Sequence, residues 1–204
     1  MLKACQKCRW RCRDSKGVDQ LSEDVPVVAL AGNPNTGKST LFNRLTGLRQ
    51  HTGNWPGKTV LKAEGIAHSE HGSFRIIDLP GTYTLLAASA EERLARDFIC
   101  FGKPDATIVI VDAMALERNL SLVLQVMEIT SKAIVCVNLI DEAHRKGVHV
   151  DTVALEKHLG IPVVATSARN GTGIDTLLAV VADVVSGRRA CQPRVATYGE
   201  DLER

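Results

Sequence analysis

Between the apolar run Pro26 to Ala31 and the helix-like stretch Thr40 to Leu45 the chain reads Gly32-Asn33-Pro34-Asn35-Thr36-Gly37-Lys38-Ser39. A glycine-rich loop that ends in Lys-Ser, entered from a strand and left through a helix, is the phosphate-binding loop of nucleotide hydrolases. No other segment constrains the fold as much, since this one demands a strand, a loop and a helix in that order. Gly32 and Gly37 permit backbone torsions and a close approach that a side chain would block, so successive amides can curl around phosphate oxygens at the helix N-terminus. Lys38 brings mobile positive charge to the terminal phosphates, and the Ser39 hydroxyl is the expected Mg2+ ligand. The whole stretch from Gly32 to Thr40, with Asn33, Pro34, Asn35 and Thr36, is expected to line the phosphates.

Around this loop, apolar runs alternate with helix-like segments, the pattern of a mostly parallel α/β sheet with helices on both faces. Six strands are expected, near Val25 to Ala31, Thr59 to His68, Ser73 to Leu79, Ala106 to Asp112, Ala133 to Asn138 and Pro162 to Thr166. Helices are expected over Lys38 to Thr46, Ala90 to Phe101, Leu116 to Thr130, Thr152 to Leu159 and Ile174 to Ser186. The second and third strands are separated by Ser69 to Gly72, too short for a crossover helix, so they pair antiparallel at one edge. The gaps Gly47 to Lys58 and Pro80 to Ser89 are where ligand-responsive loops belong.

With 204 residues and 45% hydrophobic content, the chain can bury one sizeable core, placed at 25–187 between short tails. No apolar stretch approaches the roughly 18 residues that span a bilayer, so the chain is expected to be soluble. The N-terminus also lacks a secretory apolar segment. In a reducing compartment the six cysteines are not expected to form a disulfide framework, and Cys136, inside an apolar run, should be a buried thiol.

A phosphate-binding loop leaves ATPase, kinase and GTPase open. Asp78-Leu79-Pro80-Gly81 closes the third strand, where the carboxylate can hold Mg2+ and Gly81 can offer its N–H to a terminal phosphate. Asn138-Leu139-Ile140-Asp141 closes the fifth. A carboxylate there can accept from guanine N1–H and the 2-amino group; adenine has neither donor, and the unmatched carboxylate rejects it. Thr166-Ser167-Ala168 ends the sixth strand and is similar to the loop whose backbone N–H contacts guanine O6. Each short pattern alone is a common turn or cap. Four of them in order, each at the C-terminal end of a strand, point to GTP.

The segment Gly53-Asn54-Trp55-Pro56-Gly57-Lys58-Thr59, with Asp78 to Tyr83, Val111-Asp112-Ala113 followed by Leu116 to Leu120, and NLID in place of the commoner NKxD, closely resembles the cytosolic GTPase domain of the bacterial ferrous iron transporter family FeoB. The resemblance covers about residues 25 to 187 and implies a P-loop G-domain that hydrolyses GTP and regulates ferrous iron uptake at the cytoplasmic face of the cell membrane. It implies Gly57, Lys58 and Thr59 at the nucleotide, with Thr59 as a switch threonine that ligates Mg2+ beside Ser39 and Asp78. It also implies a K+ site formed by Asn35 and the backbone carbonyls of Gly53 and Trp55, with Trp55 exposed in a mobile loop. Catalysis would then rest on Lys38, Thr59, Gly81 and Asn35. Where signalling GTPases carry a water-orienting glutamine, this chain has Thr82, so slow turnover is expected. Glu91 is a candidate relay to a following domain, although acidic residues there also suit a helix N-terminus.

The flanks are less specific. Residues 1–24 carry a basic head with Cys5, Cys8 and Cys12, which reads as a solvated, oxidation-prone tail or a partial metal site short of the four ligands that zinc prefers. Residues 188–204 read as a linker and the opening of a helical region, so the chain would be an excised fragment, a truncated product or a stand-alone relative. In the family the partners would be GTP or GDP and the helical and transmembrane regions that move Fe2+; no nucleic acid is expected. Two other readings remain open: an RNA-associated GTPase using the basic head, and a nucleotide-gated interaction module with incidental turnover.

Overall fold

The computed structural model describes residues 25–47, 50–55, 61–86 and 89–195. The strands are β1 (Val27–Gly32), β2 (Gln50–Asn54), β3 (Leu61–Ser69), β4 (Gly72–Asp78), β5 (Ala106–Asp112), β6 (Ala133–Asn138) and β7 (Val163–Ala165). The helices are α1 (Lys38–Thr46), α2 (Ala90–Phe101), α3 (Leu116–Ile129), α4 (Ile140–Arg145), α5 (Thr152–Leu159) and α6 (Ile174–Val185). The strands form one sheet in the order β2-β3-β4-β1-β5-β6-β7. From β4 to β7 all neighbours are parallel; β2–β3 and β3–β4 are antiparallel.

β5 and β6 are apolar along nearly their whole length because a parallel sheet is covered on both faces. Alternate residues of β1 serve the two sides. Ala29 and Ala31 join Leu94 and Ile99 of α2 and Leu122, Val123 and Val126 of α3. Val28 and Leu30 join Leu41 and Phe42 of α1 and Leu177 and Val181 of α6. Each fully buried Leu, Ile or Phe contributes about 1.5–3 kcal/mol. These two apolar layers fix the sheet, and the loops at the C-terminal ends of β1, β4 and β6 project from the same rim.

Two elements go beyond the sequence expectation. β2 adds a seventh strand from a stretch read as a loop; its sequence QHTGN lacks alternation, and its pairing partner is the otherwise open edge of β3. The six-residue α4 follows β6 directly, starting after Leu139 in a left-handed conformation (φ 62°). The expected β3–β4 hairpin forms, with Ser69 opposite Gly72. Exposure of Trp55 is corrected: it is buried, 5% exposed, with its ring edge-on to Phe98 of α2 at 5.4 Å between centroids and the Lys62 ammonium 5.6 Å from its own centroid. So large an apolar group gains more from the α2 surface than from water.

The segment read as a linker docks back on the domain as far as Arg194. Gln192 and Arg194 donate backbone N–H groups to Gly160 and Leu159 (2.9 Å each), and Arg189 pairs with Glu156 at 2.5 Å. The cysteine-bearing head and residues 196–204 lie outside the described residues.

Candidate nucleotide site

The loop after β1 has the backbone that its glycines foretold. Asn35 (φ 68°) and Gly37 (φ 81°) are left-handed, which turns successive N–H groups toward one side. A Cβ on Gly37 would run into the Asn138 amide nitrogen, and one on Gly32 would lie 2.9 Å from the Ile110 carbonyl oxygen. No side chain caps the N-terminus of α1, so its first-turn amides remain available to an anion. Ser39 and Thr40 are exposed at that end, while the Thr36 hydroxyl donates to the Asn33 carbonyl at 2.9 Å.

Lys38 reaches across to the Asp78 carboxylate and forms an ion pair with it. Burial pushes the Asp78 carboxyl above its usual range, against the opposing pull of the Lys38 charge and hydrogen bond. An ammonium therefore already offsets charge on the side chain expected beside Mg2+. Beyond it, Leu79 N–H donates to Leu30 O (3.0 Å) and Thr82 N–H to Gly32 O (3.2 Å). A Cβ on Gly81 would stand 3.5 Å from Pro34, so Gly81 lies directly against the phosphate-binding loop. The Thr82 side chain is buried.

Asn138 joins the two halves of the site. Its Nδ2 donates to Thr36 O at 3.0 Å, and its Oδ1 accepts from Ala168 N–H at 3.0 Å and from Thr166 Oγ1 at 3.2 Å. One buried amide thus ties the phosphate loop to the loop after β7. Asp141 stands two residues past Leu139, open to solvent, with Asn170 Nδ2 donating to Oδ2 at 3.2 Å. The facing Ser167 hydroxyl, without meeting strict hydrogen-bond geometry, is the main influence holding the Asp141 carboxyl below its usual range; the amides of Asp141 and Glu142 and the Arg145 charge add to it. A cavity of about 440 Å³ lined by Asp141, Arg145, Arg169 and Asn170 opens here. A cavity of similar size between 113–116 and 148–158 contains none of the expected site residues.

The structure therefore brings together Gly32 to Thr40, Asp78 to Gly81, Asn138, Leu139, Asp141 and Thr166 to Ala168 along one rim. Pro56, Gly57, Lys58 and Thr59 lie outside the described residues. Asn35 and Gly53 are exposed; Trp55 is packed inward. Asn33 is buried, with neither side-chain amide atom paired to protein among the described residues. Two α3 residues escaped sequence reasoning. Asn119 Oδ1 accepts from Asp112 N–H at 2.8 Å, and its signal was an amide on an apolar helix face. Gln125 Oε1 accepts from Leu85 N–H at 2.6 Å, and an ordinary helix glutamine carries no such signal.

Residues 26–181 match the family described as ferrous iron transport protein B. The chain belongs to the FeoB family. The Fe(2+) transporter FeoB of Salmonella typhimurium is 44% identical over 155 residues, covering 74% of this chain and 20% of that protein. That of Escherichia coli is 42% identical over the same length. The chain thus spans about a fifth of the length of the FeoB relatives it matches. Among solved structures, the G domain of T. maritima FeoB has a TM-score of 0.74 at 42% identity, covering 78% of this chain and 98% of that one. An S. thermophilus NFeoB variant bound to GDP has a TM-score of 0.77 at 37% identity, covering 88% and 68%. The fold is the FeoB G-domain fold, a mostly parallel sheet with an antiparallel edge.

Proposed function

We propose that this FeoB G domain binds GTP with Mg2+, hydrolyses it to GDP and phosphate, and thereby regulates ferrous iron uptake by a longer transporter at the cytoplasmic face of the membrane. The Asn138 tether carries the reading. It holds the phosphate loop through Thr36 and the Ala168 amide through its other end, so cradle and base loop are set at a fixed spacing. GDP in the S. thermophilus relative supports the same ligand class here. Among the described residues no helix is long and apolar enough to cross a membrane.

The residues divide the work. Amides of the Asn35–Thr40 turn and the Lys38 ammonium hold the phosphates, Gly81 N–H meets the terminal one, Asp141 accepts from guanine, and the Ala168 N–H side of the rim faces O6. Leaving Asp141 unmatched penalises adenine. Ser39, Thr59 and Asp78 are an all-oxygen donor set suited to Mg2+, and the partly buried Asp78 already faces a cation in Lys38. When bound, Mg2+ neutralises charge on the phosphates. Asn35 and the carbonyls of Gly53 and Trp55 are likewise oxygen donors suited to K+; Asn35 and Gly53 are open to solvent. Thr82 stands where signalling GTPases carry a water-orienting glutamine and is too short to do the same work, which supports a slow intrinsic rate.

The test is GTP turnover by the purified chain in KCl and in NaCl, with Asn35→Ala alongside. The reading expects slow phosphate release, faster in KCl, and no cation difference in the variant. Absence of GTP-dependent phosphate release in either salt would remove the enzymatic reading.

A further inference from the structure

The loop that follows Gly81 is held by α3 at two places two helical turns apart. Gln125 Oε1 accepts from the Thr84 hydroxyl at 3.1 Å and from Leu85 N–H at 2.6 Å. The same Thr84 hydroxyl accepts from Leu86 N–H at 3.2 Å, so one carboxamide oxygen organises three consecutive residues. Seven positions earlier, the Arg118 guanidinium lies 5.7 Å from the Tyr83 ring centroid. Residues seven apart share a helix face. Leu85 itself is buried against the α2–α3 layer.

The other end of this loop is fixed too, since Leu79 and Thr82 N–H groups bond to Leu30 and Gly32. Tyr83, between the anchors, is half exposed, and Leu86, just past them, is 81% exposed. Loose, such a loop would sample many poses, and each would cost order to recover. Anchored at 84–85, its freedom is confined to the few residues around Gly81.

We propose that Gln125 is a positioning residue for GTP hydrolysis: by holding Thr84 and Leu85 on α3, it keeps the Gly81 amide aimed at the terminal phosphate. The inference rests on the GTPase reading above. GDP lacks the phosphate that Gly81 meets, so the grip acts on turnover and not on GDP affinity. Arg118 over Tyr83 is solvent-exposed and adds a weaker hold.

Gln125→Met keeps size and removes the acceptor; Gln125→Glu keeps an oxygen at the same reach. In the full chain, Gln125→Met is expected to lower kcat about tenfold, the lower end of what two lost hydrogen bonds supply, with KM for GTP and Kd for GDP within about twofold of the parent. Gln125→Glu is expected to restore kcat. Amide exchange at Leu85 in the GDP-bound chain should rise about tenfold in Gln125→Met and not in Gln125→Glu. Unchanged kcat and exchange in Gln125→Met would overturn the proposal, as would equal loss in both variants. A parallel loss of GDP affinity would assign Gln125 a general structural role instead and overturn it too. If the parent chain turns over no GTP, the GTPase reading fails, and this role in catalysis fails with it; faster Leu85 exchange in Gln125→Met would then establish the grip alone.

Discussion

Replacing Asn138 with alanine isolates the contact that unites the two halves of the site. The side chain is 1% exposed and makes three hydrogen bonds, to Thr36 O, Ala168 N–H and Thr166 Oγ1. Thr166 retains a second partner, since its hydroxyl lies 3.1 Å from Cys136 Sγ. Thr36 O and Ala168 N–H are left without the amide. Each buried backbone group so orphaned costs about 1–3 kcal/mol, and water entering the vacated space holds the sum near the lower end, about 2–4 kcal/mol. Against a total stability of about 5–15 kcal/mol this is a large fraction. It corresponds to a fall in Tm of about 4–16 °C for a domain of this size. Urea unfolding followed by far-ultraviolet circular dichroism measures it directly. GDP titration of the still-folded variant should show weaker binding, because the cradle and the Ala168 amide are no longer set at one spacing. A stability loss below about 1 kcal/mol together with parental GDP affinity would refute the tether as the organiser of the site.

Gly37→Ala forces a Cβ into the Asn138 amide at a left-handed position; the conformation alone costs about 1–2 kcal/mol. Nucleotide binding should be lost with the domain still folded, as read by GDP titration and circular dichroism. Burial pushes the Cys136 thiol from 9.0 to about 12. Below pH 9.0 the thiol is protonated in both folded and unfolded chains and gives stability no pH dependence. Between there and about 12 the unfolded chain releases a proton that the folded chain keeps, so stability falls as pH rises, by up to about 1.4 kcal/mol per pH unit. Urea unfolding from pH 8 to 10 should show a shallower decline in Cys136→Ala than in the parent. The same thiol should react with a thiol reagent at neutral pH at a rate set by unfolding.

The strongly apolar parts of the fold were legible. β5 and β6 begin and end where their sequences predict, and so do α1, α2 and α5, because burial on one or two faces sets their composition. β2 was not legible, because a polar strand at a sheet edge is held by backbone pairing with β3 and leaves no apolar pattern. Trp55 was misjudged for a related reason: its neighbours are turn-forming, while its partner Phe98 lies on a helix distant in sequence. In the site, residue types at strand ends were readable one by one. The Asn138 link between Thr36 and Ala168, and the Gln125 hold on Thr84 and Leu85, join residues far apart in the chain, which no local spacing encodes.

The central claim is a guanine-selective site built around Asp141. Titrating the purified chain with fluorescent GTP and ATP analogues in Mg2+, in parent and Asp141→Asn, tests it most directly. The account predicts GTP bound at least about a hundredfold more tightly than ATP by the parent, from one carboxylate matched to two donors, and most of that preference lost in Asp141→Asn. Equal affinity of the parent for GTP and ATP would contradict it.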